Sequence, residues 1–418
     1  MKAEILEQIQ KAKRVGGIIP RVKKTAEEEA RPTKVAWFDK TDEANPAFRP
    51  LIALEDERDE LDFVLGLFPL RMRPVQEGES LSGFLSHHVE KDEQGTPVKV
   101  PAIYDGLKEK DVIVLSLGGL GDNLSFALSR QAEKVGALVL RCPPSQLKAF
   151  RETKGYDKKA DQTTLVELLQ TKPEVFYPVF VRERRVTYMR ECLRSRTDAM
   201  KARIACEQRL RQRVIGQIFC NEEGKFPEGE IEKQFDLVKA SDKILEALKV
   251  EEHDSNKALE KACRAVEVYR ELFEPIKGVG PAIASRLISA IQDIRRFDTK
   301  WKLRKFCGTF CLPDGRFPRW RKGEGSGWNP DARQALFLLG DQFNRRPDSE
   351  WGAKLLENKV YYRTRHPEEI PIGGKKKYTK AHIHRMALWK TLGEFVEWLF
   401  AAWWKLEGVE ATPEGKIP

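Results

Sequence analysis

DVIVLSLGGLGDNLSFALSRQAEKVGALVLRCPP, residues 111–144, decides the fold class. DVIVLSLGG (111–119) is a continuous apolar run stopped by glycines, the pattern of a strand buried on both faces. NLSFALSRQAEKVG (123–136) spaces Leu124, Ala127, Leu128 and Ala132 along one helical face, and Gly136 follows its last turn. ALVLRCPP (137–144) is a second buried strand closed by two prolines. Strand, helix and strand at this spacing predict a βαβ unit, hence a parallel sheet in an α/β domain over residues 96–181.

Outward from this unit the signals weaken. Downstream, a helix is expected over Thr163–Gln170 and a strand at VFYPVFV (175–181). Upstream, residues 1–95 carry a strand pattern in KVAWF (34–38), ending at Asp39, and an apolar run in LDFVLGLFPLRM (61–72). Charged, proline-containing linker separates the two.

From residue 182 to 270 the pattern turns helical and heavily charged. Val186, Met189, Leu193, Met200, Ile204, Val214 and Ile218 give an approximate stripe; Leu259, Ala262, Val266, Tyr269 and Phe273 give a second. NEEGKFPEGE (221–230) is the turn between them. Two long helices joined by a loop predict a helical hairpin, packed within the chain or pairing as a coiled coil between copies.

Composition narrows the class. With 418 residues the chain exceeds one compact core. A hydrophobic fraction of 41% and a charged fraction of 33% do not suit a membrane protein, and no stretch approaches the ~20 apolar residues of a bilayer span. MKAEILEQIQKAKR lacks the layout of a signal peptide, so the expected location is the cytoplasm, at the nucleoid. The seven cysteines are scattered and odd in number, which reads as reduced, packed thiols. His382 and His384, two residues apart on a helix, point to different faces and read as ordinary histidines rather than ligands.

The net charge of +10 favours a polyanionic partner, since each phosphate contact releases condensed counterions. The surplus is concentrated: Arg295–Lys322 holds ten Lys or Arg against two acids, Asp298 and Asp314. Just before it, FEPIKGVGPAIASRLISAI (273–291) carries a helix-hairpin-helix pattern. Ile276 anchors the first helix, and Lys277-Gly278-Val279-Gly280 makes a tight turn whose glycines let a phosphate approach the backbone. Pro281 suits the first turn of the next helix, and Ala284, Leu287, Ile288 and Ile291 supply its buried face. Free N–H groups and the positive helix end then hold a phosphate without reading bases. The bland alternative is a plain helix–turn–helix joint.

In CLPDGRFPRWRKGEGSGWNPDARQALFLLG (311–340), Arg316, Arg319, Arg321 and Lys322 interleave with Phe317, Trp320 and Trp328. Guanidinium groups pair with phosphates and aromatic faces stack on unpaired bases. The alternative is a solvated loop whose aromatics dock into the core.

Over roughly residues 100–400 the chain resembles the transposases of the insertion-sequence one-hundred-and-ten class, which include a pilin-gene invertase. The resemblance is most specific in IKGVGPAIASRLISAI, RRFDT and KGEGSGWNPDAR, and KAHIHRMALWKTLGEFVEWLFAAWW (380–404) is similar to the closing helix of an extended branch. It implies an α/β plus α architecture: an RNase H-like (RuvC-like) domain, a helical hairpin over 182–270, and a helix-hairpin-helix transposase domain over 271–405 with a tail at 406–418. It also implies four acids binding Mg2+, a serine attacking a DNA phosphodiester, a structured guide RNA, and a homo-oligomer. The family's K-T-D-x-x-D-A motif falls on Lys159-Ala160-Asp161-Gln162-Thr163-Thr164-Leu165, keeping Asp161 and replacing the second acid by Thr164. The glutamate position falls at Leu115 or Ser116, and the first aspartate is matched to Asp39. The family's Ser-Gly aligns with Asp314-Gly315, which leaves Ser326 as the serine of the loop, alternatively a turn residue or helix cap.

Three functions follow as alternatives: an active recombinase using Asp161 and Ser326, with Asp161 and Asp39 on the metal; a transposase that has lost chemistry and only binds nucleic acid; and an assembly protein.

Overall fold

The computed structural model describes residues 3–22, 24, 29–42, 45–117, 121–224, 230–312, 317–319, 327–412 and 414–417. Ser326, Arg316, Trp320, Arg321 and Lys322 lie outside them. The chain divides into two units, Met1–Arg184 and Arg185–Pro418.

The first unit opens with helix α1 (Ala3–Gln10), followed by β1 (Arg14–Ile19), β2 (Thr33–Asp39), β3 (Ala47–Phe48) and β4 (Ile52–Leu54). Then come α2 (Glu57–Leu65), β5 (Phe68–Pro74), β6 (Glu90–Lys91), β7 (Pro97–Asp105), β8 (Asp111–Ser116), α3 (Asp122–Val135) and β9 (Leu138–Cys142). Helices α4 (Pro144–Lys154) and α5 (Asp161–Thr171) and the short β10 (Tyr177–Pro178) complete it. The main sheet runs β10-β9-β8-β1-β2-β3, with β4 also on β2. β1, β8 and β9 are parallel, and β2 is antiparallel to β1.

The apolar run of β8 serves two faces. Val112 and Val114 join Val15, Leu138, Leu140 and Leu165 on one side, while Ile113 and Leu115 join Ile18, Trp37, Leu124 and Leu128 on the other. This is the period-2 alternation of a strand covered by helices on both sides. The βαβ reading of 111–144 and the KVAWF strand are both found. The expected strand over 175–181 shrinks to Tyr177–Pro178 at the sheet edge, where Pro178 has no N–H to donate. LDFVLGLFPLRM splits at Gly66, whose φ of 77° caps α2 before β5 begins. β1, whose RVGGII carries two glycines, is the strand that sequence reading passed over, and it sits at the centre of the sheet.

The second unit is helical. It holds most of α6 (Val181–Phe219), then α7 (Glu230–Ser241), α8 (Lys243–Arg264), a π-turn at Tyr269–Phe273, α9 (Pro281–Ile291), α10 (Lys300–Cys307), α11 (Pro330–Arg345) and α12 (Glu350–Arg365). A small hairpin of β11 (Ile370–Ile372) and β12 (Lys375–Lys377) precedes α13 (Lys380–Leu406). Cys206 and Leu210 of α6 pack on Leu245 with Phe235 and Val238, so the long helices close on one another within the chain. Arg203 to Glu252 and Lys239 to Glu207 lock the same contact. The main core gathers α8, α9, α10, α11 and the apolar side of α13, with Phe395, Leu399, Phe400 and Trp403 nearly or wholly buried. The cysteines are free thiols, and burial pushes those of Cys142 and Cys263 up to about 12.

Candidate nucleic-acid interface and the acid positions of the sheet

The turn at 277–280 is built as its residues demand. The Val279 amide donates to the Ile276 carbonyl at 3.1 Å, closing the turn, and Val279 itself is buried. Gly278 has a φ of 87°, and a Cβ there would meet the Arg346 guanidinium at 2.6 Å. Gly280 has extended backbone and open space around it, and it caps α9 ahead of Pro281. Lys277 is exposed and, among the described residues, its ion pair is with Asp348, at 3.6 Å, itself exposed. The buried side chains Ala284, Leu287, Ile288 and Ile291 hold α9 in the core. The open backbone at Gly280, the start of α9 and a cation on the turn make a place where a phosphate could dock.

The basic run after α9 is less free than its charge count suggests. Arg295 pairs with Asp293 at 2.7 Å, and Arg296 donates to the Ile291 carbonyl at 2.8 Å. Lys300 and Arg304 both bind Glu397, and Lys302 binds Asp298. Lys305 and Arg319 are exposed. The aromatics of the following loop dock inward: Phe317 packs against Trp389, and Trp328 and Trp389 lie 4.7 and 4.5 Å from the Arg333 guanidinium. Burial lowers the Arg333 pKa. Two of the three aromatics expected to stack on bases are therefore used internally. The cap of α11 is Asn329, whose side chain accepts from the Ala332 amide at 2.9 Å.

The hairpin of β11 and β12 was missed in sequence reading. It carries Lys375, Lys376 and Lys377 and delivers Tyr378, which adopts a φ of 57°. The Tyr378 ring stacks on His366 at 3.9 Å and on His382 at 5.5 Å, and its amide donates to His382 Nδ1. Nearby, Lys359, Arg363 and Lys380 line a groove between α12 and the start of α13. Gly-Gly-Lys-Lys-Lys at 373–377 was the available signal, since paired glycines before a charge run mark a turn. His384, two residues further along α13, is half-buried.

The acid positions lie in the other unit. Asp161 opens α5, whose Gln162 carbonyl lies so close to β1 that a Cβ on Gly17 would strike it. Gly17 thus lets α5 seat its first turn at the C-terminal edge of the parallel strands, beside Cys142. There Arg151 of α4 donates from Nη1 to both Asp161 oxygens, at 2.8 and 2.7 Å. Asp122, at the start of α3, is bound by Arg141, which also donates to the Ser116 carbonyl. Leu115 is wholly buried and Thr164 donates its hydroxyl to the Ala160 carbonyl.

Asp39 is not brought to Asp161. β2 runs antiparallel to β1, so Asp39 faces Arg14 at the beginning of β1, where β8 also begins at Asp111. The separation along β8 is roughly 16 Å by strand rise. Asp39 instead binds Arg49 and the Thr41 amide and hydroxyl, and these contacts, working against burial, hold its carboxyl below the usual range. Of the antiparallel pair β1 and β2, it is β1 that ends at the Asp161 edge, and its last residues are Ile18 and Ile19. A magnesium ion prefers several carboxylate and water oxygens in strict octahedral geometry. An edge whose two acids are each engaged by arginine, with Leu115 and Thr164 at the other acid positions, does not fit it.

Residues 270–313 match the family described as Transposase IS116/IS110/IS902. The matched span takes in the π-turn, the Lys277–Gly280 turn, α9 and α10. No curated protein matches the chain. Among the described residues, no helix is long and apolar enough to cross a membrane.

Proposed function

We propose that this chain is a transposase-class protein that grips DNA through its C-terminal unit and does not run metal-dependent strand cleavage on its sheet. The match over residues 270–313 supports an insertion-sequence transposase, and DNA is the partner such a protein needs. The turn at Lys277–Gly280 leading into α9 supports the helix-hairpin-helix reading. The sheet supports the RNase H-like one: an antiparallel trio, β1 with β2 and β3, flanked by the parallel β8 and β9. The observation that carries the loss of chemistry is Arg151 on both oxygens of Asp161. A guanidinium there satisfies the lone pairs a cation would use, and its charge repels that cation.

The family match favours a second reading, an active recombinase in which Ser326 attacks the phosphodiester and Asp161 holds Mg2+. One assay separates the two. Purified full chain is mixed with DNA from its own locus, with and without magnesium, and scored for binding and for strand breaks. Binding that weakens steeply with salt, with no magnesium-dependent cleavage, supports the grip alone. Magnesium-dependent cleavage lost in both Ser326→Ala and Asp161→Ala restores the recombinase. A guide RNA and a homo-oligomer belong to either reading as proposals. Sequencing the nucleic acid that copurifies, and weighing the chain in solution, test them.

A further inference from the structure

In the first unit, away from the acid positions, three ligand-bearing side chains converge. Asp62 on α2 presents Oδ2 to His87 Nε2 at 2.9 Å and to His88 Nε2 at 2.8 Å. Asp62 and His88 are buried, while His87 keeps 28% of its side chain exposed. The three ligand atoms lie within 4.8 Å of one another. We propose that Asp62, His87 and His88 bind a divalent first-row metal ion, zinc by preference, with water in the remaining position on the open side of His87.

Zinc bonds to imidazole nitrogen and carboxylate oxygen at about 2.0–2.2 Å, so tetrahedral ligand atoms stand about 3.3 Å apart. Asp62 Oδ2 stands a few tenths of an ångström closer than that to each histidine nitrogen, and the two histidines offer ligand atoms within 4.8 Å of each other. Two imidazoles and one carboxylate suit zinc and its neighbours and not magnesium or calcium, which favour oxygen. The open side of His87 supplies both an entry path and room for a fourth ligand.

The placement indicates what the ion does. His87 and His88 lie in the long connection between β5 and β6, and Asp62 lies on α2, whose Phe63 and Val64 enter the sheet core. The small sheet of β5, β7 and β6 has little apolar burial of its own: Leu70, Val98 and Ile103 are all exposed. An element with so thin a core gains from a cross-link. The ion would staple the connection to α2 and so fix this sheet on the unit.

The test uses the full chain stripped of metal with a chelator. Cobalt(II) is titrated in while visible absorption is followed, and zinc is then added to displace it. The proposal expects a single ion per chain, an intense tetrahedral-type cobalt band that zinc abolishes, and zinc protection of the β5–β6 connection against limited proteolysis. His87→Gln, chosen because His87 is partly exposed, removes the band and the protection, whereas His382→Gln with His384→Gln leaves both intact. Failure to bind either metal overturns the proposal, as does binding that survives His87→Gln or disappears with the His382 and His384 pair. Should His87→Gln fail to fold, Asp62→Asn and the cobalt spectrum of the unaltered chain still decide it.

Discussion

Arg151 Nη1 lies 2.8 and 2.7 Å from the two carboxylate oxygens of Asp161, across the gap between α4 and α5. This pairing ties the first turn of α5 to its neighbour, and under the proposed function Asp161 serves as a structural anion. Asp161→Asn should then lower stability by roughly 1.5–3 kcal/mol, the worth of a charged hydrogen bond, and leave DNA affinity unchanged. Urea unfolding and a binding titration measure the two. A variant of unaltered stability that loses strand cleavage would show the carboxylate to be catalytic after all.

The two glycines of the turn should separate fold from grip. Gly278 needs its φ of 87° and has Arg346 against it, so Gly278→Val should cost about 1–3 kcal/mol through strain. Gly280 has ordinary φ and open space, so Gly280→Val should keep its melting temperature nearly unchanged. If a phosphate sits on this backbone, Gly280→Val should still weaken DNA binding by about tenfold, the loss of a single good hydrogen bond. Unchanged affinity in a folded Gly280→Val would remove the turn from the interface.

Lys277 supplies the charge of the same turn. Its pairing with Asp348 is exposed and long, and such pairs contribute little. Lys277→Ala should therefore leave stability alone and reduce the slope of log affinity against log salt by about 1. A slope that does not move would mean the phosphates are held elsewhere, for instance by Lys375 and Lys376.

What was legible in the sequence follows from how local each signal is. β8 and β9 were readable because burial on both faces writes an unbroken apolar run, and α3 because its apolar residues recur along one helical face. β1 was not, because its glycines are explained only by distant partners: Trp37 beside Gly16 and the Gln162 carbonyl beside Gly17. The seam of α6 was half seen. Met189 and Val214 are buried as expected, but Ile204 is exposed and the seam runs through Cys192, Ala199, Cys206 and Leu210. Cysteine and alanine do not stand out as apolar in a charged helix, although they pack like it. The Lys277–Gly280 turn was plain because its glycines sit at fixed offsets from a helical stripe. The arginines on Asp161 and Asp122 were invisible, since no spacing rule links α4 to α5 or β9 to α3. Asp39 misled for a related reason: antiparallel pairing of β2 carries its last residue to the wrong end of the sheet.

Arg14 binds the other end of that sheet together. Its guanidinium donates to Asp111 at 2.9 and 2.6 Å, to Asp105 at 2.8 Å and to the Gly106 carbonyl at 2.8 Å, and it lies 4.0 Å from the centre of the Trp37 ring. Arg14→Met keeps much of the volume but strands two buried carboxylates. The expected cost is about 3–5 kcal/mol, as for breaking a buried ion pair from one side. Unfolding by denaturant measures it, and a loss below about 1 kcal/mol would show that the carboxylates find other partners or protonate cheaply.

Two partly buried histidines of the second unit, His382 and His384, make its stability depend on pH. Burial, then Arg385, Lys377, Arg319 and His366, lower the His382 pKa below its ordinary 6.5. Burial, then Lys359 and Arg385, lower that of His384, with Asp341 opposing them. The folded chain thus binds fewer protons at these rings than the unfolded chain does. Their contribution is fully present above the ordinary value of 6.5 and is lost as pH falls from there through the lowered folded values. Melting temperature should decline between about pH 7.5 and about pH 5, and His382→Gln with His384→Gln should flatten the upper part of that decline. Carboxylates titrate lower and leave this window largely to the histidines. A double variant with the same pH dependence as the parent would mean that protonated His382 is accommodated beside Tyr378, and that the stack is not held by a neutral ring.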